Sequence, residues 1–533
     1  MGNKRLFEFI ECLSFLIYFI ILFRKSGAVG AGIFGAAMIF YYFVYVIFIE
    51  CVGNTLTRLV AARLHRGFKD NAKRIFGYVM LYTFLAGALM IIIFLTMSGT
   101  FSNSLFKNGC VGSVMTFLGV LFFIHAFSNN IRCYYVGCGG HIIMTIADIA
   151  FCILLPLAAI FGIDFFTEYG TKVAALKNND IMVGVYAAIG AVLFIALVML
   201  IRLLILTVGI RSLIRQEHYS FNEVRSKDGF KTFMRSFLPE YAKSLRTKIF
   251  PVITVFMCLM VFTRVNFSLG GVEDEIYTRL GYIVGPGISL LLFTVKLTGG
   301  YISLVYGKLR VSYKKEDRKG LISRYNAFAK NTFIVIFPAF VFMLVFSKAV
   351  CTGVFACQAE DAFSLGLIAA FCFLFMAFDG FFDAGLRATG YDLVAFFGNI
   401  AGFLVALMYI LLSGKSGVKP TFFLVALLLG FITAMLIHGF YALSYIGIKY
   451  YDFVAKAVKV LIAIAPVFVI ELILVKVITM NPLIIVISVL IGYVIYWTVF
   501  VLVRGLNQKE IGNLQGTFVF YPFRFIAGLF HVR

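Results

Sequence analysis

The sequence predicts an all-α polytopic membrane protein of about fourteen transmembrane helices, arranged as two parallel six-helix repeats and two C-terminal helices. Three observations carry that expectation. Of 533 residues, 62% are hydrophobic and 14% charged, and mean hydropathy is +0.99; a soluble chain is about half apolar and a quarter charged. The apolar residues gather into runs of spanning length, about 20 residues each. Two loops recur at nearly the same offset in the two halves of the chain.

Apolar runs place helices near 6–23, 33–56, 75–97, 111–131, 141–163, 181–207 and 248–268, and then near 280–306, 331–350, 363–385, 392–412, 420–446, 457–478 and 481–503. The first run is not a cleavable signal. Glu8 and Glu11 interrupt it, and Arg24, Lys25 and Ser26 follow where a small-residue cleavage site belongs. It reads as an uncleaved span.

The net charge is +22. With the N-terminus inside, cytoplasmic segments carry about three times as many Lys and Arg as outside segments, which is the positive-inside pattern. Both termini are therefore expected to face the cytoplasm. Topology accounts for most of the basic excess, so nucleic acid is not expected as a partner. The ten cysteines form no CxxC pair and most lie in apolar runs, so no metal site is expected. Cys351 and Cys357 either form an extracytoplasmic disulfide or stay free.

Shifting residues 127–139 by 251 positions aligns them with 378–390, and places Asp148 on Asn399. A shift of 249 brings the basic loop 67–76 onto 316–325. The offset equals six spans, an even number, so the halves share one orientation, as in parallel-repeat transporters. The expected organisation is a first lobe at 1–207, a basic cytoplasmic linker at 208–247, a second lobe at 248–448, and the last two helices with a tail at 449–533. No His-Glu-x-x-His or Gly-x-Ser-x-Gly motif occurs, so no enzyme, catalytic residue or cofactor is expected.

Charge inside a span costs about 2.5–3.5 kcal/mol on insertion scales, so charged residues there usually line a cavity or pair. Lys296 lies deep in the eighth span, beyond Gly285, Pro286 and Gly287, which should kink or break the helix. It either meets an anion, as at a helix terminus, or snorkels to an interface or neutralises an acid. Glu50, Asn54 and Arg58 stand four residues apart on one face of the second span; they line the inward mouth of a cavity, or are interfacial with Glu50 paired to a base. Asp379 and Asp383 repeat the pattern in the tenth span as coupling or cavity-lining acids, or as interfacial groups. Arg24 and Arg264, near the outer ends of spans one and seven, suit a phosphate group or ordinary anchoring. His125 and His438 are intramembrane histidines that are either satisfied locally or relay protons, and Glu471 has no assigned role.

These residues resemble the multidrug/oligosaccharidyl-lipid/polysaccharide (MOP) flippase superfamily, in particular its stage V sporulation protein B and lipid II flippase type. The similarity lies in Arg24 with Gly27, Gly32 and Gly35 after the first helix. It continues in the basic loop of Arg58, Arg63, Arg66, Lys69, Lys73 and Arg74, in Lys314 through Arg324 before Phe337 and Pro338, and in Arg387 with Gly390. The resemblance implies a V-shaped pair of lobes around a cationic cavity. It also implies a substrate, an undecaprenyl diphosphate-type lipid carrying a saccharide, whose headgroup crosses inside while the tail stays among membrane lipids. Arg24 and Arg58 carry over as headgroup-binding residues; Arg264 and Lys296 join them by position. Between Arg5 and Arg24 the first helix lacks the further arginines of lipid II flippases, which leaves another lipid-linked glycan open. The alternatives are a cation-coupled multidrug (MATE-type) antiporter and a non-transporting subunit of a glycan-export complex, with glycan-synthesis enzymes as partners.

Overall fold

The computed structural model describes residues 2–107, 109–140, 142–216, 229–357, 359–414, 417, 419–447, 450–477, 482–503 and 505. Within them the side chains of 2–9, 12, 211–216, 293–301, 303–304, 359–363, 450–453, 455–456, 476–477 and 482 are left aside. Every described element is helical: α1 (Gly2–Tyr45), α2 (Cys51–His65), α3 (Lys69–Phe101), α4 (Cys110–Gly137), α5 (Ile142–Lys177), α6 (Ile181–Gln216), α7 (Phe230–Ser268) and α8 (Glu273–Tyr282) come first. Then follow α9 (Ser289–Lys314), α10 (Arg318–Ala349), α11 (Ala359–Ala388), α12 (Asp392–Ser413), α13 (Pro420–Ile446), α14 (Tyr450–Val477) and α15 (Pro482–Leu502). Twelve stretches among the described residues are long and apolar enough to cross a membrane. One of them, Leu13–His65, has 53 residues, twice what one crossing needs.

That stretch divides at Gly27, whose φ of 68° and ψ of 177° interrupt the helix. Only glycine takes such a conformation without strain, so spans one and two meet at a single residue, where the sequence predicts a loop. With this division, and with α8 and α9 counted as one passage, there are fourteen helices among the described residues. Gly285, Pro286 and Gly287 do not break the eighth passage. They lie in a π-helical turn, Ile283–Ile288, whose wider spacing absorbs the N–H that proline lacks, and the Ser289 hydroxyl donates to the Gly285 carbonyl. The expected free donors of a broken helix are not formed.

The repeat is visible in backbone hydrogen bonds. Gly139 N–H bonds Val136 O and Gly140 N–H bonds Tyr135 O; Gly390 N–H bonds Arg387 O and Tyr391 N–H bonds Leu386 O, each 251 residues on. After α2, Gly67 bonds Leu64, Phe68 bonds Arg63 and Ala72 bonds Phe68; after α9, Glu316 bonds Tyr313, Asp317 bonds Ser312 and Leu321 bonds Asp317, each 249 on. Identical turns at the two offsets are what parallel repeats require.

By contacts the chain forms two compact units, Ile17–Gly281 and Met1–Leu16 with Tyr282–Arg533. In the first, α5 packs on α6, α3 on α4, and α2 on both α4 and α7. Its core includes Val52, Leu56, Val60, Ile75, Val79, Ile131, Tyr134, Tyr135, Leu206 and Phe233. Residues 230–247, expected within a linker, are the first half of α7. Phe230, Phe233, Phe237 and Tyr241 recur at helical spacing with each ring against the next, and the Tyr241 hydroxyl donates to Ile47 O. In the second unit, α11 packs on α9, α10 and α13, and α14 on α10 and α15.

The outward faces are apolar. On α3, Leu81, Leu85, Leu89, Ile92 and Leu95 are each more than half exposed, three or four residues apart. Water would penalise such a stripe; hydrocarbon does not. Cys351 and Cys357 are free thiols, with the Cys357 N–H on the Cys351 carbonyl at 2.9 Å.

Candidate functional site

In the first unit the stripe on α2 is joined to α7. Glu50 Oε1 accepts from the Lys248 ammonium, while Glu50 Oε2 is buried and has no hydrogen-bond partner among the described residues. Arg58 donates to Glu240 at 3.3 Å, with both side chains more than two-fifths exposed. Asn54 lies between them, half-buried. Glu50 is the last residue of a π-helical turn, Val46–Glu50, a local irregularity in the helix. The acid expected at a cavity mouth is thus held by a base, and the headgroup candidate Arg58 is held by an acid. An exposed pair contributes little: Arg58→Ala is expected to change stability by less than about 1 kcal/mol, checked by thermal unfolding in detergent.

Arg24 and Arg264 are exposed side chains of α1 and α7, and Arg264 has no acidic partner among the described residues. The turn near Arg24 is anchored by Lys25, which pairs with Asp164 and donates to Ile160 O at 3.2 Å. Lys296 lies in α9, but its side chain is outside the described residues.

In the second unit Asp379 and Asp383 do not share a partner. Asp383 accepts from Arg387, one turn on, at 2.8 Å. Asp379 meets His438 Nδ1 of α13 at 2.6 Å, and His438 Nε2 lies 2.8 Å from Ala395 O of α12. Sequence reasoning named no partner for His438, because helices α11 and α13 are brought together only by folding.

The sequence reading also missed a buried clasp in the first unit. Asp148 of α5 accepts from Arg132 of α4 at 3.1 Å and from Arg202 of α6; Arg202 also lies 4.9 Å over the Phe151 ring. Both arginines were counted among the topology charges. The one signal was Asp148, an acid within an apolar run. Elsewhere His125 is stacked on Tyr45 at 4.4 Å and bonded to the Tyr41 hydroxyl at 2.8 Å. Glu471 is fully buried, with no hydrogen-bond partner for either carboxyl oxygen among the described residues.

This all-helical fold of two parallel repeats is similar to the fold of solved MATE transporters. One similar structure, a MATE protein in the bent conformation, superposes with a TM-score of 0.57 at 14% identity, over 85% of this chain and 95% of that one. The inward- and outward-facing conformations of a multidrug resistance MATE family transporter give TM-scores of 0.54 and 0.55, at 14% and 13% identity. They cover 84% and 83% of this chain and 95% and 96% of theirs. No family model matches the chain, and no curated protein does. The likeness is one of fold.

Proposed function

We propose that this protein is an alternating-access flippase that moves an undecaprenyl diphosphate-type lipid-linked oligosaccharide or cell-wall precursor across the cytoplasmic membrane, with both termini inside the cell. The observation that carries this reading is the exposed arginine inside a spanning segment, above all Arg264 on α7 without an acid opposite it among the described residues. A diphosphate cannot enter hydrocarbon uncompensated, and guanidinium groups hold phosphate oxygens in forked hydrogen bonds. Arg24 and Lys296 extend the set. Arg58 joins it by exchanging Glu240 for the headgroup. The fold likeness supports a transporter rather than an enzyme. The neighbours are covered almost completely while about a sixth of this chain is left over, a share large enough to hold α14 and α15, which would offer extra surface to a lipid tail.

A second reading, a cation-coupled multidrug antiporter, is favoured by what the similar structures are: MATE transporters, one of them a multidrug resistance protein. Glu50, Asn54, Asp379 and Asp383 would then serve coupling. The non-transporting reading has glycan-synthesis enzymes as its partners. Mass spectrometry of lipids copurified in mild detergent separates them. The first reading expects a lipid-diphosphate saccharide, and in vesicles carrying that lipid, Arg264→Ala and Lys296→Ala each lower headgroup translocation at least about tenfold, the loss of a charged hydrogen bond. Efflux of an organic cation with no bound lipid-diphosphate would overturn it.

A further inference from the structure

The two repeats each fasten their fourth, fifth and sixth helices with buried charged or titratable groups, and the two fastenings differ in kind. In the first unit Asp148 on the fifth helix is held by Arg132 and Arg202 from the fourth and sixth. Arginine stays protonated at any accessible pH, so this clasp is permanent. The 251-residue shift places Arg132 on Asp383 and Asp148 on Asn399. In the second unit the sixth helix supplies His438 and the fourth supplies Asp379, at positions that the same shift places on Ala187 and Ser128 rather than on the residues of the first clasp.

His438 Nε2 faces a backbone carbonyl, which only accepts, so Nε2 carries a hydrogen and donates to Ala395 O. His438 Nδ1 faces a carboxylate oxygen of Asp379 at 2.6 Å. One proton must therefore lie between Nδ1 and Oδ1, on either atom. With that proton the pair is neutral overall and both atoms are satisfied. Without it a lone pair faces a carboxylate, and with a second one the pair carries net positive charge; both states disfavour the contact. The imidazole has no other seat. It is fully buried, and a Cβ at Gly398 of α12 would overlap the ring, with Cε1 at 3.2 Å.

Several of the surrounding charges have partners of their own. On α11, Asp383 is bonded to Arg387. On α9, Arg310 donates to Ala388 O and Lys308 lies over the Phe328 ring. On α10, Arg324 donates to the Ser312 hydroxyl and Lys330 is buried. On α12, Asp392 is in the first turn and Asn399 Nδ2 donates to Ala395 O.

We propose that Asp379 and His438 form a single-proton clasp, closing α11, α12 and α13 when one proton is bound and releasing them when it leaves. This deepens the transport reading by assigning the second repeat a proton-operated element where the first has a fixed one. It does not depend on which substrate is carried.

The test is hydrogen–deuterium exchange of the full chain in lipid nanodiscs from pH 5 to 9, corrected for the intrinsic exchange rate. Segments 391–400 and 434–442 report the clasp, and 144–152 reports the arginine clasp in the same molecule. In the wild type the open fraction of the first two is expected to rise by up to about tenfold per pH unit where the proton leaves, while 144–152 stays flat. His438→Gln and Asp379→Asn remove the step; Asp383→Asn keeps it. A flat wild-type profile overturns the proposal, as does a step that survives in either His438→Gln or Asp379→Asn. Protection at 144–152 shows whether each variant is folded, and the wild-type profile decides if neither is. Because no substrate enters this measurement, failure of the clasp and failure of the lipid-linked reading are told apart.

Discussion

Replacing Asp148 by Asn will destabilise the first unit by about 3–5 kcal/mol, the cost of breaking a buried ion pair from one side. The substitution keeps shape and volume but leaves Arg132 and Arg202 facing each other across α5. Arg202 has a side chain only 7% exposed and cannot turn to water; Arg132, at 28%, is partly hydrated. The amide oxygen of Asn still accepts one hydrogen bond, which sets the effect toward the lower end. Thermal unfolding in detergent, followed by loss of the monodisperse peak, measures it. Asp148→Asn combined with Arg202→Met should recover part of the loss, because the second change removes the stranded charge. A shift equivalent to less than about 1 kcal/mol would show that the clasp contributes no more than a surface pair does.

Gly281→Ala is the second large effect. A Cβ there would overlap the Ala28 carbonyl, with the carbonyl carbon at 2.7 Å and Ala28 Cα at 2.9 Å. The approach is mutual: a Cβ on Gly32 would overlap the Tyr277 carbonyl and lie 3.0 Å from Gly281 N. Such close backbone approach at small residues is how membrane helices gain packing energy when lipid offers no hydrophobic drive. The obstructing atoms are backbone, so no rotamer change relieves the clash and α8 must move off α1. The expected cost is about 1–3 kcal/mol or more, read as a lower melting temperature. Gly77, with open space around its Cβ position, is the control: Gly77→Ala should be neutral or stabilising by up to about 1 kcal/mol, from helix propensity alone. Equal destabilisation by both substitutions would refute the steric account.

Much of the fold was legible in the sequence because each spanning helix must satisfy its own backbone hydrogen bonds in lipid. Apolar length therefore reports a helix without any help from its neighbours. The repeat was legible because turns are local: the glycines at 139 and 390 occupy equivalent left-handed positions, and their flanking hydrogen bonds involve residues at most five apart. What escaped were features set by shape at a single residue. The join at Gly27 replaced a loop, the π-helical turn at Ile283–Ile288 replaced a break, and the aromatic face of α7 turned half of a basic linker into packed helix.

The candidate site was less legible. The sequence singled out Glu50, Arg58, Asp379 and Asp383 as charges that either line a cavity or find a partner, because charge in an apolar segment is costly. It could not say which partner. Lys248 lies 198 positions from Glu50, Glu240 lies 182 from Arg58, and His438 lies 59 from Asp379; no spacing rule links residues on separate helices. Arg132 and Arg202 were concealed among the many basic residues that the expected topology already explains.

By itself, then, the sequence determined an all-helical membrane chain of fourteen passages in two like-oriented repeats. Hydrophobic length, charge asymmetry and turn chemistry are properties of short segments. Only the tertiary structure decided which charges are compensated: Asp148 permanently by two arginines, Asp379 by a histidine through one proton. Ion pairing depends on distances between helices, and those distances exist only once the helices have packed.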